Sequence, residues 1–76
     1  MAARLGNVVC MTVVVNGEEI SIAAGISLQQ LIEMRQLADQ RIAVEINGEI
    51  VPRSAWPGQA LYEHDRIEIV HAIGGG

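Results

Sequence analysis

Few residues in this sequence are of a type and spacing to do chemistry, and the strongest candidate closes it. Gly74, Gly75 and Gly76 follow Ile73. Without Cβ atoms they form a thin segment that can lie extended in a narrow channel, at the cost of large backbone entropy on ordering. Their chemical asset is the terminal carboxylate of Gly76, which the active site of another protein can reach. The same residues also suit an ordinary frayed end, and the remainder of the chain has to decide between the two.

The other candidates are weaker. His64 and His71 stand a strand's length apart, with no nucleophile beside either, and read as surface histidines. Glu18 and Glu19 are adjacent, but successive strand residues point to opposite faces, so they make a poor acid/base pair. Cys10 is the lone cysteine, so it has no intramolecular disulfide partner and lacks the companions of a zinc site. No helix follows the closing glycines to make them a phosphate loop, and no basic stripe interleaved with aromatics is present for nucleic acid. The expectation is a chain that is not an enzyme and that takes part in chemistry as a substrate or carrier, with no metal or permanently bound cofactor.

Composition agrees with a small domain of this kind. Half of the 76 residues are hydrophobic, with one Trp, one Tyr and no Phe, so the core is expected to be Ile, Leu and Val. A domain of this size buries only about 60% of its unfolded surface. Nine acidic residues against five arginines give a net charge of −4, which disfavours nucleic acid and anionic membranes and suits a partner with a basic face. The absence of lysine leaves no side-chain amine to intercept an activated Gly76 carboxylate. With no apolar run long enough to cross a bilayer and no clear signal peptide, a cytoplasmic location is expected.

The positioning elements follow from periodicity. Met11, Val13 and Val15 alternate with Thr12, Val14 and Asn16, and Ile20 and Ile22 alternate with Glu19, Ser21 and Ala23. Asn16-Gly17 between them is the chemistry of a tight hairpin turn. Ser27 and Gln30 fit a capping box ahead of a helix over about Leu28 to Leu37, with Leu28, Leu31 and Ile32 on one face. Ile42 to Ile46 is a third strand, Asn47-Gly48 repeats the turn, and Glu49 to Val51 is a short fourth strand closed by Pro52. Trp56 is expected to cover one end of the core. Arg66 to His71 is the last strand, with Ile67 and Ile69 inward. The order ββαβββ predicts an α+β, ubiquitin-like β-grasp: a mixed five-stranded sheet with one main helix packed on one face, and the first and last strands parallel in the middle. The expected division is a disordered extension over residues 1–10, a β-grasp domain over 11–71 and a flexible tail over 72–76.

Three segments then resemble a known family. Met11 to Glu18, Ile46-Asn-Gly-Glu-Ile-Val-Pro-Arg-Ser-Ala-Trp56 and Asp65 to Gly76 are similar to the ThiS-type sulfur carriers of thiamine biosynthesis. The middle segment is the most specific, because a Gly-Gly ending is shared by other ubiquitin-like modifiers and carriers. The resemblance implies that a ubiquitin-activating-type adenylyltransferase, using ATP and Mg²⁺, adenylates the Gly76 carboxylate. A persulfide-bearing sulfur donor then gives a C-terminal thiocarboxylate, and thiazole synthase takes the sulfur. It further implies that Gly75, Gly74, Ile73 and Ala72 thread the partner's channel. Strand parity places Val14, Glu45, Glu68 and Val70 on the sheet face opposite the helix as candidate docking residues. A carrier for molybdopterin, cysteine or a related pathway, and a β-grasp interaction module with an unmodified tail, are the alternatives.

Overall fold

A computed structural model describes residues 3–5 and 8–72 of the chain. Their elements are β1 (Ala3–Leu5), β2 (Val8–Val15), β3 (Glu18–Ala23), α1 (Leu28–Met34), β4 (Ile42–Ile46), β5 (Glu49–Val51), a 3₁₀ turn (Arg53–Gly58) and β6 (Arg66–His71). The five expected strands are present and form one mixed sheet, to which β1 adds a sixth. β2 lies between β3 and β6, β4 follows β6, and β5 is an edge. The β2–β6 pair is parallel, with Val14 opposite Arg66 and Val15 opposite Ile67, and the other pairs are antiparallel.

Both Asn-Gly turns are built as their residues dictate. Asn16 and Gly17 have φ of 50° and 83°, and Asn47 and Gly48 have 53° and 89°. Two successive positive φ values match the right-handed twist of the strands they join. Alternation then sets the faces. Met11, Val13, Val15, Ile22, Val44, Ile46, Val51, Ile67 and Ile69 are buried and pack with Leu28, Leu31 and Ile32 of α1. Trp56, 1% exposed, closes the core, and its Nε1 donates to the Val51 carbonyl at 3.0 Å.

The helix starts where expected and stops earlier. Ser27 Oγ accepts from the Gln30 N–H at 3.1 Å and Gln30 Oε1 accepts from the Ser27 N–H at 2.9 Å, a complete capping box. Helical residues end at Met34 rather than near Leu37. Gln36 has φ of 60°, its N–H donates to Glu33, and the Leu37 N–H reaches back to Ile32 at 3.1 Å. This is a Schellman stop. A glutamine rather than a glycine holds the left-handed position, so the sequence carries no marker for it.

On the N-terminal side, Ala3–Leu5 pairs with Val8–Cys10, in the register Ala3 with Cys10 and Leu5 with Val8. Strand β2 begins at Val8. Val8 and Val9 extend its β-branched run backwards, and the Ala24 N–H secures the other edge by donating to the Val9 carbonyl at 2.7 Å.

Candidate functional site: the root of the C-terminal segment

Ile73, Gly74, Gly75 and Gly76 lie outside the described residues, so the described part of the site is the place where β6 ends. Two side chains and one loop hold that strand. Asn16, already fixed by its turn, presents its amide to the backbone of Ile69: Oδ1 accepts from the Ile69 N–H at 2.7 Å and Nδ2 donates to the Ile69 carbonyl at 3.1 Å. The side chain thereby extends the parallel ladder past the end of β2, satisfying groups that would otherwise face solvent at a strand end.

Asn47 does the same at the start of β6. Its Oδ1 accepts from the Arg66 N–H at 2.9 Å, its backbone N–H donates to the Arg66 carbonyl at 2.7 Å, and its Nδ2 donates to Asp65 Oδ1 at 3.0 Å. Asp65 is buried, and its second oxygen accepts from the Tyr62 N–H at 2.8 Å. It is a structural carboxylate that fastens the turn entering β6.

On the β4 side, the Ala72 N–H donates to the Arg41 carbonyl at 2.9 Å. His71 Nε2 lies 2.6 Å from Gln40 Oε1. Ala72, expected to begin the tail, is thus still bonded to the fold. The loop that receives it is held in turn by Arg53. Its guanidinium donates to the Ala38 carbonyl at 2.9 Å and the Gln40 carbonyl at 2.7 Å, and sits 4.4 Å from the Trp56 ring centre.

The sheet face opposite α1 brings some of the expected docking residues together. Glu45 and Glu68 are direct cross-strand partners, and Val70 faces Ala43 two residues further along β6. Ile50, 71% exposed, stands across from Glu45 on its other side. Val14, half-buried, faces Arg66 at the other end of the same face rather than joining the carboxylate pair.

The other expectations fall as follows. His64 and His71 are exposed and Cys10 is half-buried. Among the described residues no group of His, Cys, Asp or Glu is arranged to hold a metal ion. An open depression of about 410 Å³, lined in part by Asn47, Ile50, Tyr62 and Asp65, lies at the start of β6, away from the tail root, and its Asp65 is already bonded. At the loop before β6, the Glu63 carboxylate accepts from the Thr12 N–H, which lowers its pKa from the ordinary value.

The side chains that hold β6 and the loop beside its end, Asn16, Asn47, Arg53 and Asp65, are not among the residues expected to form the site. Asn-Gly recurs at both turns and is a preferred pair for their backbone, so the first two read as turn formers and nothing more.

A mixed sheet in which the last described strand is central and parallel to β2, with one helix packed on one face, defines a ubiquitin-like β-grasp protein. Within that class the chain belongs to the ThiS family, whose model matches residues 11–76. It is 30% identical over 66 residues to the sulfur carrier protein ThiS of Escherichia coli, covering 87% of this chain and the whole of that one. It is 39% identical over 66 residues to a thiazole synthase of Paramagnetospirillum magneticum, but spans only 20% of that protein's length. The crystal structure of a thiamine biosynthesis protein (ThiS) from Geobacter metallireducens superposes with a TM-score of 0.77 at 28% identity, over 87% of this chain and all of that one.

Proposed function

We propose that this chain is a sulfur carrier of thiamine biosynthesis and that its working group is the Gly76 carboxylate. Adenylation joins a carboxylate oxygen to the α-phosphorus of ATP and releases pyrophosphate, converting a poor electrophile into a good one. A persulfide sulfur of the donor protein then attacks the acyl carbon and AMP leaves. Cleavage of the resulting S–S bond by a thiol leaves the C-terminal thiocarboxylate, which thiazole synthase consumes, returning the carboxylate. ATP and Mg²⁺ belong to the adenylating enzyme, and the chain contributes an end that can be presented to it, so proximity carries much of the rate. The glycines and Ile73 thread that enzyme's channel, Ala72 seats the tail at its mouth, and Val14, Glu45, Glu68 and Val70 contribute to docking. The setting is the cytoplasm; among the described residues no helix is long and apolar enough to cross a membrane.

The observation that carries this reading is the family match through Gly76, joined to a sheet whose central strand leads into the glycines. Likeness to a stretch of a longer protein named thiazole synthase supports that enzyme as the consuming partner. The test is intact mass after incubation with ATP, Mg²⁺, the adenylating enzyme and a sulfur donor. The expected product replaces one C-terminal oxygen with sulfur and is lost on deletion of Gly76 while the domain stays folded. An unchanged mass with competent partners rejects the carrier reading, and thiocarboxylate on the deletion variant rejects Gly76 as its site.

A further inference from the structure

We propose that Arg53 is a positioning residue for the C-terminal segment, acting through the loop 38–41, a role that rests on the carrier reading. Arg53 belongs to the Pro-Arg-x-x-Trp run at residues 52–56, yet it lies outside the expected docking set and far from Gly76 in sequence. Its guanidinium is committed to three groups: the carbonyls of Ala38 and Gln40 and the face of Trp56.

Each commitment has a physical purpose. Trp56 is a fixed base, since its ring is buried and its Nε1 is bonded to Val51. A planar guanidinium can stack on that ring and direct two N–H groups at two carbonyls at once, which a lysine ammonium at the same site cannot reproduce. The two carbonyls belong to the loop left after α1 stops at Met34. That loop has few other anchors: Leu37 and Ala38 are partly buried against the core, and Asp39, Gln40 and Arg41 are exposed. It is nonetheless the partner of the tail root, through Gln40 with His71 and Arg41 with Ala72. A continuous series of contacts therefore runs from the core through Trp56, Arg53 and the loop to the last residue before the tail. A loop that drifts shifts the point from which the reactive end is launched. Transfer at a carboxylate held in a channel is sensitive to displacements of that scale.

The test compares wild type, Arg53→Lys and Arg53→Gln. Arg53→Lys keeps a cation over the Trp56 ring, so its melting temperature is expected near wild type. The readouts are amide hydrogen exchange at Ala72 and the steady-state kinetics of pyrophosphate release with ATP, Mg²⁺ and the adenylating enzyme. In Arg53→Lys the Ala72 amide is expected to exchange about tenfold faster while the amides of Val44 and Ile67 hold. The kcat is expected to fall about tenfold, with KM for the carrier changed less than about threefold, because the sheet face is untouched. Arg53→Gln is expected to lose more in both readouts. Unchanged Ala72 exchange or an unchanged kcat in both variants, against an active wild type, overturns the Arg53 assignment alone. A wild-type protein that releases no pyrophosphate overturns the carrier reading and the positioning role together.

Discussion

Asn16 and Ile69 are joined by two hydrogen bonds, of 2.7 and 3.1 Å, between one side-chain amide and both polar groups of one backbone residue. They stand 53 positions apart in sequence, so the turn between β2 and β3 secures β6. The amide substitutes for the next residue of a parallel ladder at the point where β2 turns away.

The pair predicts a separable phenotype for Asn16→Gly. Glycine keeps the left-handed turn conformation and removes both bonds. The expected loss is about 1–3 kcal/mol in chemical denaturation, from two bonds each worth roughly 0.5–1.5 kcal/mol, with faster exchange of the Ile69 amide. Native exchange at Ile69 in the variant contradicts the ladder role.

How far this was legible in the sequence depends on whether a feature is local or distant. Strand alternation, the capping box and both Asn-Gly turns are short-range, and all appear at the expected residues. The missed features involve long separations or unusual backbone. Asn16 and Asn47 read as turn formers because positive φ is a local property, whereas their bonds to β6 depend on the closed sheet. Asp65 carries no local signal of burial, because nothing nearby in sequence predicts its meeting with Asn47. Gln36 hid the helix stop, because a left-handed residue that is not glycine leaves no mark in the sequence.

Gln36→Gly is expected to stabilise the protein. The left-handed conformation costs a residue with a Cβ about 1–2 kcal/mol, and glycine removes that cost but gives back roughly 0.5–1 kcal/mol of backbone entropy. The net gain is about 0.5–1 kcal/mol, read from the denaturation midpoint at constant slope. A loss would mean that the Gln36 side chain contributes something beyond the cap.

Glu63 ties acid stability first to the hydrogen bond from Thr12. The Thr12 N–H holds its folded-state pKa below the ordinary 4.5. A depressed folded pKa gives stability that is present above the unfolded value and is lost as pH falls through the folded one. Wild type is therefore expected to lose more melting temperature than Glu63→Gln between neutral pH and pH values below 4.5. Parallel pH profiles for the two proteins would remove Glu63 as a contributor.

Glu45 and Glu68 face one another directly across β4 and β6. Like charges at such a position are destabilising by a few tenths of a kcal/mol up to about 1 kcal/mol relative to a neutral pair, and opposite charges gain by a similar amount. Their presence on a face that also exposes Ile50 and Val70 is accounted for under the carrier reading if a basic group of the adenylating enzyme docks over them. Glu68→Arg is therefore expected to stabilise the free protein by about 0.5–1 kcal/mol. It is also expected to raise the KM for adenylation severalfold at low salt while leaving kcat near wild type, because the tail root is unaltered. The effect on KM should shrink as ionic strength rises, since exposed charges are screened over about 8–10 Å at physiological salt. A more stable variant with an unchanged KM at low salt removes this pair from the docking surface and leaves Gly76 and the tail root to be recognised through another face.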